Sequence, residues 1–279
     1  MTQTIGGQAV IEGVMIKSKE RIATAVRKND KIVVKKQNWK SLTTKNKLLN
    51  LPIIRGIIIL FEMMYVGMKA LTWSAQQQED KKEKISNSEI FLTISISIIA
   101  TILLFVVAPY YISKLFVKEV GTLFNLIDGL LRLLIFFGYI IIISFFKDVK
   151  RIFQYHGAEH MAVYCYEAGL KLTPKNCQRF QTMHPRCGTS LIVLVIAISI
   201  ILFSLIKSQL WYVNILLRIV LIPLIAGIGY ELTKLTAKYS NNKFLRFLIY
   251  PGILTQKITT QKPDVKQIEV AIAAVKAVL

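Results

Sequence analysis

Histidine is almost missing from this chain of 279 residues, which holds three, and all three fall within one short stretch as His156, His160 and His184. Cysteine is equally scarce. The three thiols, Cys165, Cys177 and Cys187, share that stretch, which is expected to be a cytoplasmic loop where thiols stay reduced, so no disulfide framework is expected. Acid is also short: 16 Asp and Glu face 36 Lys and Arg, leaving a formal charge of +20. That imbalance points to a basic face, expected on the cytoplasmic side. No cleavable signal with successive basic, apolar and small-residue regions opens the sequence, so the apolar helices themselves are expected to target it.

What the chain does have is apolar length, at 53% hydrophobic content. Soluble proteins do not combine that much apolar residue with that much base. The sequence predicts a mainly α, polytopic membrane protein with about four transmembrane helices. Its expected segments are a basic, β-rich cytoplasmic region at 1–50, an amphipathic interfacial or re-entrant helix at 51–75 and a polar linker at 76–89. Transmembrane helices one and two follow at 90–146, a cytoplasmic helix and loop at 147–188, helices three and four at 189–232, and a cytoplasmic amphipathic tail at 233–279. Each span is long enough for a hydrocarbon core of about 30 Å.

The small N-terminal β element is read from Arg21–Arg27 facing Lys31–Lys35 across Asn29-Asp30. Residues 51–75 are set apart because Arg55, Glu62 and Lys69 recur at heptad spacing, and charges at a bilayer centre are costly. Four spans place the basic N-terminal region, the 147–188 loop and the tail on one side. The positive-inside rule makes that side cytoplasmic, with both termini there.

His156-Gly-Ala-Glu159-His160 spells H-x-x-E-H, the reversed form of a zinc-hydrolase helix motif. Residues three and four apart on a helix share one face, so the two imidazoles converge on one point. That pattern suits zinc, with His156, His160 and His184 as ligands and Glu159 as the base that takes a proton from water. Glu12, Glu167, Cys187 and Glu231 are candidate further ligands or partners that orient a ligand, and Arg186 and Gln8 are candidate contacts for a substrate or anion. A histidine cluster that serves packing alone is the bland alternative. Asp128, Arg132, Arg218 and Glu231 are intramembrane ions, and intramembrane ions suggest either function or helix packing.

Several motifs occur together in order: Gly6-Gly-Gln-Ala-Val-Ile-Glu12-Gly-Val-Met15, Arg55-Gly56, Tyr155 to His160, His184 to Ser190, Gly229-Tyr-Glu231-Leu, and Thr259-Thr through Ala274. In these the chain resembles the YqhQ-like family of uncharacterised bacterial membrane proteins, generally described as predicted metal-dependent enzymes. The resemblance implies a metal and a bacterial cytoplasmic membrane location, but no substrate. Within it, Ile16-Lys17-Ser18 departs where an arginine is expected in relatives.

Three functions stand open on these residues. One is a membrane-embedded, metal-dependent hydrolase, most simply zinc-dependent, working at the cytoplasmic membrane boundary on an unknown substrate. The second is a metal-stabilised scaffold or insertion factor whose basic face docks anionic lipid headgroups or ribosomal RNA. The third, a transporter, needs the four intramembrane ions to line one cavity. The lipid bilayer is the expected partner in each, and an oligomer is compatible with all of them.

Overall fold

A computed structural model describes residues 3–78, 86–206, 208–239 and 242–279. The central part of the expected 76–89 linker and the Lys207 loop position therefore lie outside the described residues. Four antiparallel strands open the chain in the order β1 (Gly6–Val10), β2 (Gly13–Lys17), β3 (Arg21–Lys28) and β4 (Lys31–Asn38). The β3–β4 hairpin closes through Lys28 opposite Lys31, with Asn29 at φ 46° and Asp30 at φ 61°. Two-residue hairpin loops need that left-handed backbone, and Asn and Asp tolerate it.

Alternation along the strands gives the sheet two apolar faces. Val10, Met15, Ile22 and Val26 turn toward α2 (Ile54–Gln78), where Val66 and Ala70 meet them. Val14, Ile16, Ala23 and Ala25 turn the other way, toward α6 (Lys147–Glu167) and α11 (Val265–Val278). The alanines of β3 leave room for a close helix. Before α2 come a single turn, α1 (Leu42–Lys45), and a 3-10 turn at Leu48–Asn50.

The helix α11 is not a peripheral tail. A capping box of Asp264 and Gln267 starts it, and Ile268, Val270, Ala271, Ala274 and Val275 are fully buried. Each larger aliphatic side chain buried this way stabilises the fold by roughly 1.5–3 kcal/mol. Residues near opposite ends of the sequence thus share one core with α6.

The apolar helices are α3 (Asn87–Ile102), which continues through a π-helical stretch at Leu103–Val107 into α4 (Ala108–Phe116), then α5 (Thr122–Ser144) and α9 (Trp211–Lys238). Three helical lengths are long and apolar enough to cross a membrane: Phe91–Phe116, Thr122–Ser144 and Trp211–Thr236. The fourth expected span is the shorter α8 (Gly188–Phe203), whose 16 residues rise about 24 Å. Between α6 and α8 lies the short α7 (Pro174–Cys177). α2 is not among the three, and it leaves Ile54, Phe61, Met64, Tyr65, Met68 and Leu71 exposed along one stripe.

Pro251-Gly252 suggests a helix end, but α10 (Lys243–Thr259) runs through it. Tertiary packing overrides the local breaker here. A Cβ on Gly252 would sit 2.6 Å from the Ser190 Cα, so the glycine lets α10 lie directly on the start of α8.

Candidate metal centre

The start of α8, the end of α10 and the middle of α6 meet at the histidines. His156 and His160 stand one turn apart on α6 with ring centroids 4.5 Å apart. The Nδ1–H of His156 donates to the Thr259 carbonyl at 2.9 Å, and the Nδ1–H of His160 donates to the Thr182 carbonyl. Both imidazoles are therefore fixed in the tautomer that leaves Nε2 as the free lone pair. This is the outer-shell arrangement by which proteins orient histidine ligands.

Cys187 supplies the third donor. It caps the N-terminus of α8, its Sγ accepts from the Thr189 N–H at 3.4 Å, and that sulfur lies 3.2 Å from His156 Nε2. The sulfur thus sits at the N-terminal end of α8. Donor atoms of His156, His160 and Cys187 all lie within 4.8 Å of one another. A tetrahedral ion with bonds of about 2.0–2.3 Å spaces its ligands roughly 3.3–3.8 Å apart, so the trio fits zinc with little contraction. Nitrogen and sulfur donors suit zinc better than magnesium or calcium.

Glu159, 4% exposed, lies beside this trio, its Oε2 3.5 Å from His160 Nε2. Burial pushes its carboxyl above the usual carboxylate range, and burial likewise lowers His156, His160 and His184. Neutral imidazoles are the form that binds metal. A cavity of about 50 Å³ opens on the group between Gly7 of β1, Glu159, Arg186 and Cys187. That volume accommodates an ion and a water.

The other expected site residues are distributed differently. His184 stands next to the trio, its ring 5.5 Å from that of His160, but its Nδ1 accepts the Arg186 backbone N–H and its Nε2 faces Glu167 at 3.5 Å. Glu167 also pairs with the Arg186 guanidinium, so it ties together two residues, His184 and Arg186, that line the cavity. Glu12 lies elsewhere, in the β1–β2 turn at φ 53°, where Arg151 and the Tyr155 hydroxyl bind its carboxylate. Gln8 packs against Gly67 of α2. Glu231 pairs with Arg55, joining α9 to α2.

The remaining charged residues singled out on the apolar helices do converge. Asp128 Oδ2 accepts from Arg132 Nη2 at 2.8 Å and from Arg218 Nη1 at 2.5 Å, and Arg218 Nη2 reaches Asn125 at 2.7 Å. Arg218 is fully buried among Tyr110, Phe124 and Phe203. This cluster binds α5 to α9, with Glu231 outside it.

Sequence reasoning missed Gln256. Fully buried on α10, it accepts the His184 N–H at 2.7 Å and donates to the His184 carbonyl and the Ser190 hydroxyl, each at 2.9 Å. It thereby clamps both ends of the loop that carries Cys187. Gly157 is the other silent contributor: a Cβ there would lie 2.2 Å from the Gln261 carbonyl oxygen, and only glycine lets the 259–261 segment come close enough for Thr259 to hold His156. The two orienting carbonyls come from the backbone and leave no side-chain signal.

Residues 51–279 match the family described as protein of unknown function (DUF1385). The chain is 32% identical over 291 residues to the uncharacterised protein YqhQ of Bacillus subtilis (strain 168), covering 98% of this chain and 92% of the relative. No solved structure matches it.

Proposed function

The chain belongs to the DUF1385 family of YqhQ-like proteins, and on that premise we propose a metal-dependent hydrolase set at the cytoplasmic boundary of a bacterial membrane. His156, His160 and Cys187 hold one divalent ion, zinc by its donor set. The observation that carries this reading is the pair of carbonyl contacts that aim two Nε2 lone pairs at the Cys187 sulfur beside an open cavity. Bound there, zinc supplies Lewis acidity to the scissile group and to water.

The chain's own residues do the rest. Glu159 Oε2 accepts the proton of the attacking water and returns it to the leaving group. Arg186, held by Glu167, presents positive charge at the cavity mouth and steadies the oxyanion. Gly7 lines the β1 side of the cavity with backbone alone, and a Cβ there would meet the Met15 carbonyl oxygen at 2.2 Å. The small cavity admits a scissile group presented from outside, which suits a lipid headgroup or a membrane-proximal peptide. Topologically, this reading places three spans and the shorter α8 in the bilayer, with the sheet, α6 and both termini in the cytoplasm.

The test is Glu159→Gln with metal content, abundance and complementation measured together on the same variant. Full metal, normal abundance and no complementation support the hydrolase. Normal values for all three remove Glu159 from the mechanism.

One observation favours a second reading. Cys187 begins α8, so an ion held by it and by α6 ties the cytoplasmic domain to an apolar helix. A metal-stabilised scaffold docking anionic lipid or ribosomal RNA requires no more than that. It predicts loss of abundance when the metal is removed and no effect of Glu159→Gln.

A further inference from the structure

A second concavity lies away from the histidines, between the β3–β4 hairpin, α2 and the start of the apolar stretch in α3. It measures about 390 Å³, the size of a small-molecule site. The fold makes it for a simple reason. α2 crosses the sheet over β1–β3 and leaves the β4 side of that face uncovered, where Thr24 and its cross-strand partner Lys35 point the same way. On α2, Tyr65, Lys69, Thr72, Trp73 and Gln76 recur at helical spacing along the facing side.

The lining has a definite chemistry. Two amines enter it, Lys35 Nζ 5.7 Å from the Trp73 ring centre and Lys69 Nζ 4.4 Å from that of Tyr65, and among the described residues no lining side chain is acidic. Cation–π contact holds each ammonium over a ring while its remaining donors stay free for an anion. Met68 and Ile94 provide an apolar edge. Ile94 comes three residues after Phe91, where the apolar stretch begins, so the concavity opens at the level of a membrane surface. Beside it the exposed apolar stripe of α2 continues through Met64, Tyr65, Met68 and Leu71.

We infer that this concavity is a binding site for the headgroup of an anionic phospholipid, with Lys35 and Lys69 on the phosphodiester, Tyr65 and Trp73 at the glycerol level, and Met68 and Ile94 against the first acyl carbons. Basic pockets beside membrane helices, rimmed by interfacial aromatics, recognise lipids in this way. The site is separate from the histidine cavity, and its occupancy is independent of the metal reading.

Native mass spectrometry of delipidated full-length protein in neutral detergent tests it, with phosphatidylglycerol, phosphatidylcholine and inorganic phosphate as probes. The protein retains one phosphatidylglycerol at least about tenfold more tightly than phosphatidylcholine, and Lys35→Gln with Lys69→Gln removes about tenfold or more of that affinity. Both lysines are exposed, so the double variant keeps the wild-type unfolding temperature and metal content. A control pair outside the concavity, Lys31→Gln with Lys36→Gln, stays within about twofold of wild type. Equal retention of phosphatidylcholine, or undiminished binding by the double variant, overturns the proposal. Competition by inorganic phosphate at concentrations equal to the lipid overturns it too, by leaving a bare anion site.

Discussion

Replacing Gln256 by Leu tests how far the candidate centre depends on a residue that touches no donor atom. Leucine nearly matches the glutamine in volume, and the position is fully buried, so no water takes over its bonds. Three hydrogen bonds disappear. The His184 N–H is left without a partner, the His184 carbonyl keeps only the Cys187 N–H at 3.2 Å, and the Ser190 oxygen loses the donor it accepted from. One orphaned buried N–H costs about 1–3 kcal/mol, and the weakened carbonyl and Ser190 contacts roughly offset the gain from no longer burying an amide, so the loss is about 1–3 kcal/mol. The loop from His184 to Ser190 then relaxes and carries Cys187 from His156. Thermal unfolding in detergent micelles reads the stability. Maleimide labelling reads the loop, because Cys165 and Cys177 are fully buried and serve as internal references. The variant should unfold at a temperature lower by about 5 °C and label faster at Cys187. A stability change below about 1 kcal/mol with unchanged labelling would refute the clamp.

Three further outcomes follow from other contacts. Gly157→Ala drives a Cβ to within 2.2 Å of the Gln261 carbonyl oxygen, so thermal melts should show a loss of about 1–3 kcal/mol or more, and a loss below about 1 kcal/mol would show that the 259–261 segment yields freely. Asp128→Asn leaves two buried guanidiniums without their carboxylate and should cost about 3–5 kcal/mol in detergent unfolding, and a change under about 1 kcal/mol would show that the cluster holds no helices together. Burial, reinforced by Cys165, pushes the Cys177 thiol up to about 12. A raised folded value means that the neutral thiol stabilises the fold below its unfolded value of about 8.5 and that this stability is lost as pH rises toward the folded one. Wild type should therefore lose more stability above pH 8.5 than Cys177→Ala, and identical pH profiles would contradict the burial argument.

The parts legible in the sequence are those governed by short-range rules. His156, Glu159 and His160 share a face because helix periodicity puts them there, and the β3–β4 hairpin follows from strand alternation around Asn29-Asp30. Cys187 was visible as a candidate ligand, and its place just before an apolar helix is a capping position. What escaped depends on long-range packing. Nothing local says that α11 is covered by the sheet and α6, that Gly252 carries α10 past Pro251 onto Ser190, or that Gln256 reaches His184. The carbonyls of Thr259 and Thr182 orient the histidines through atoms that every residue possesses. Charge sign alone also could not tell that Asp128, Arg132 and Arg218 gather while Glu231 goes to Arg55.

X-ray absorption at the metal edge of the purified protein decides what His156, His160 and Cys187 hold, because it counts nitrogen and sulfur neighbours without needing a substrate. The account predicts about one zinc per chain with two nitrogens at roughly 2.0–2.1 Å, one sulfur at roughly 2.3 Å and one light oxygen, and loss of the sulfur shell in Cys187→Ser. A native protein without metal, or a metal whose first shell holds no sulfur and is unchanged in that variant, would contradict it.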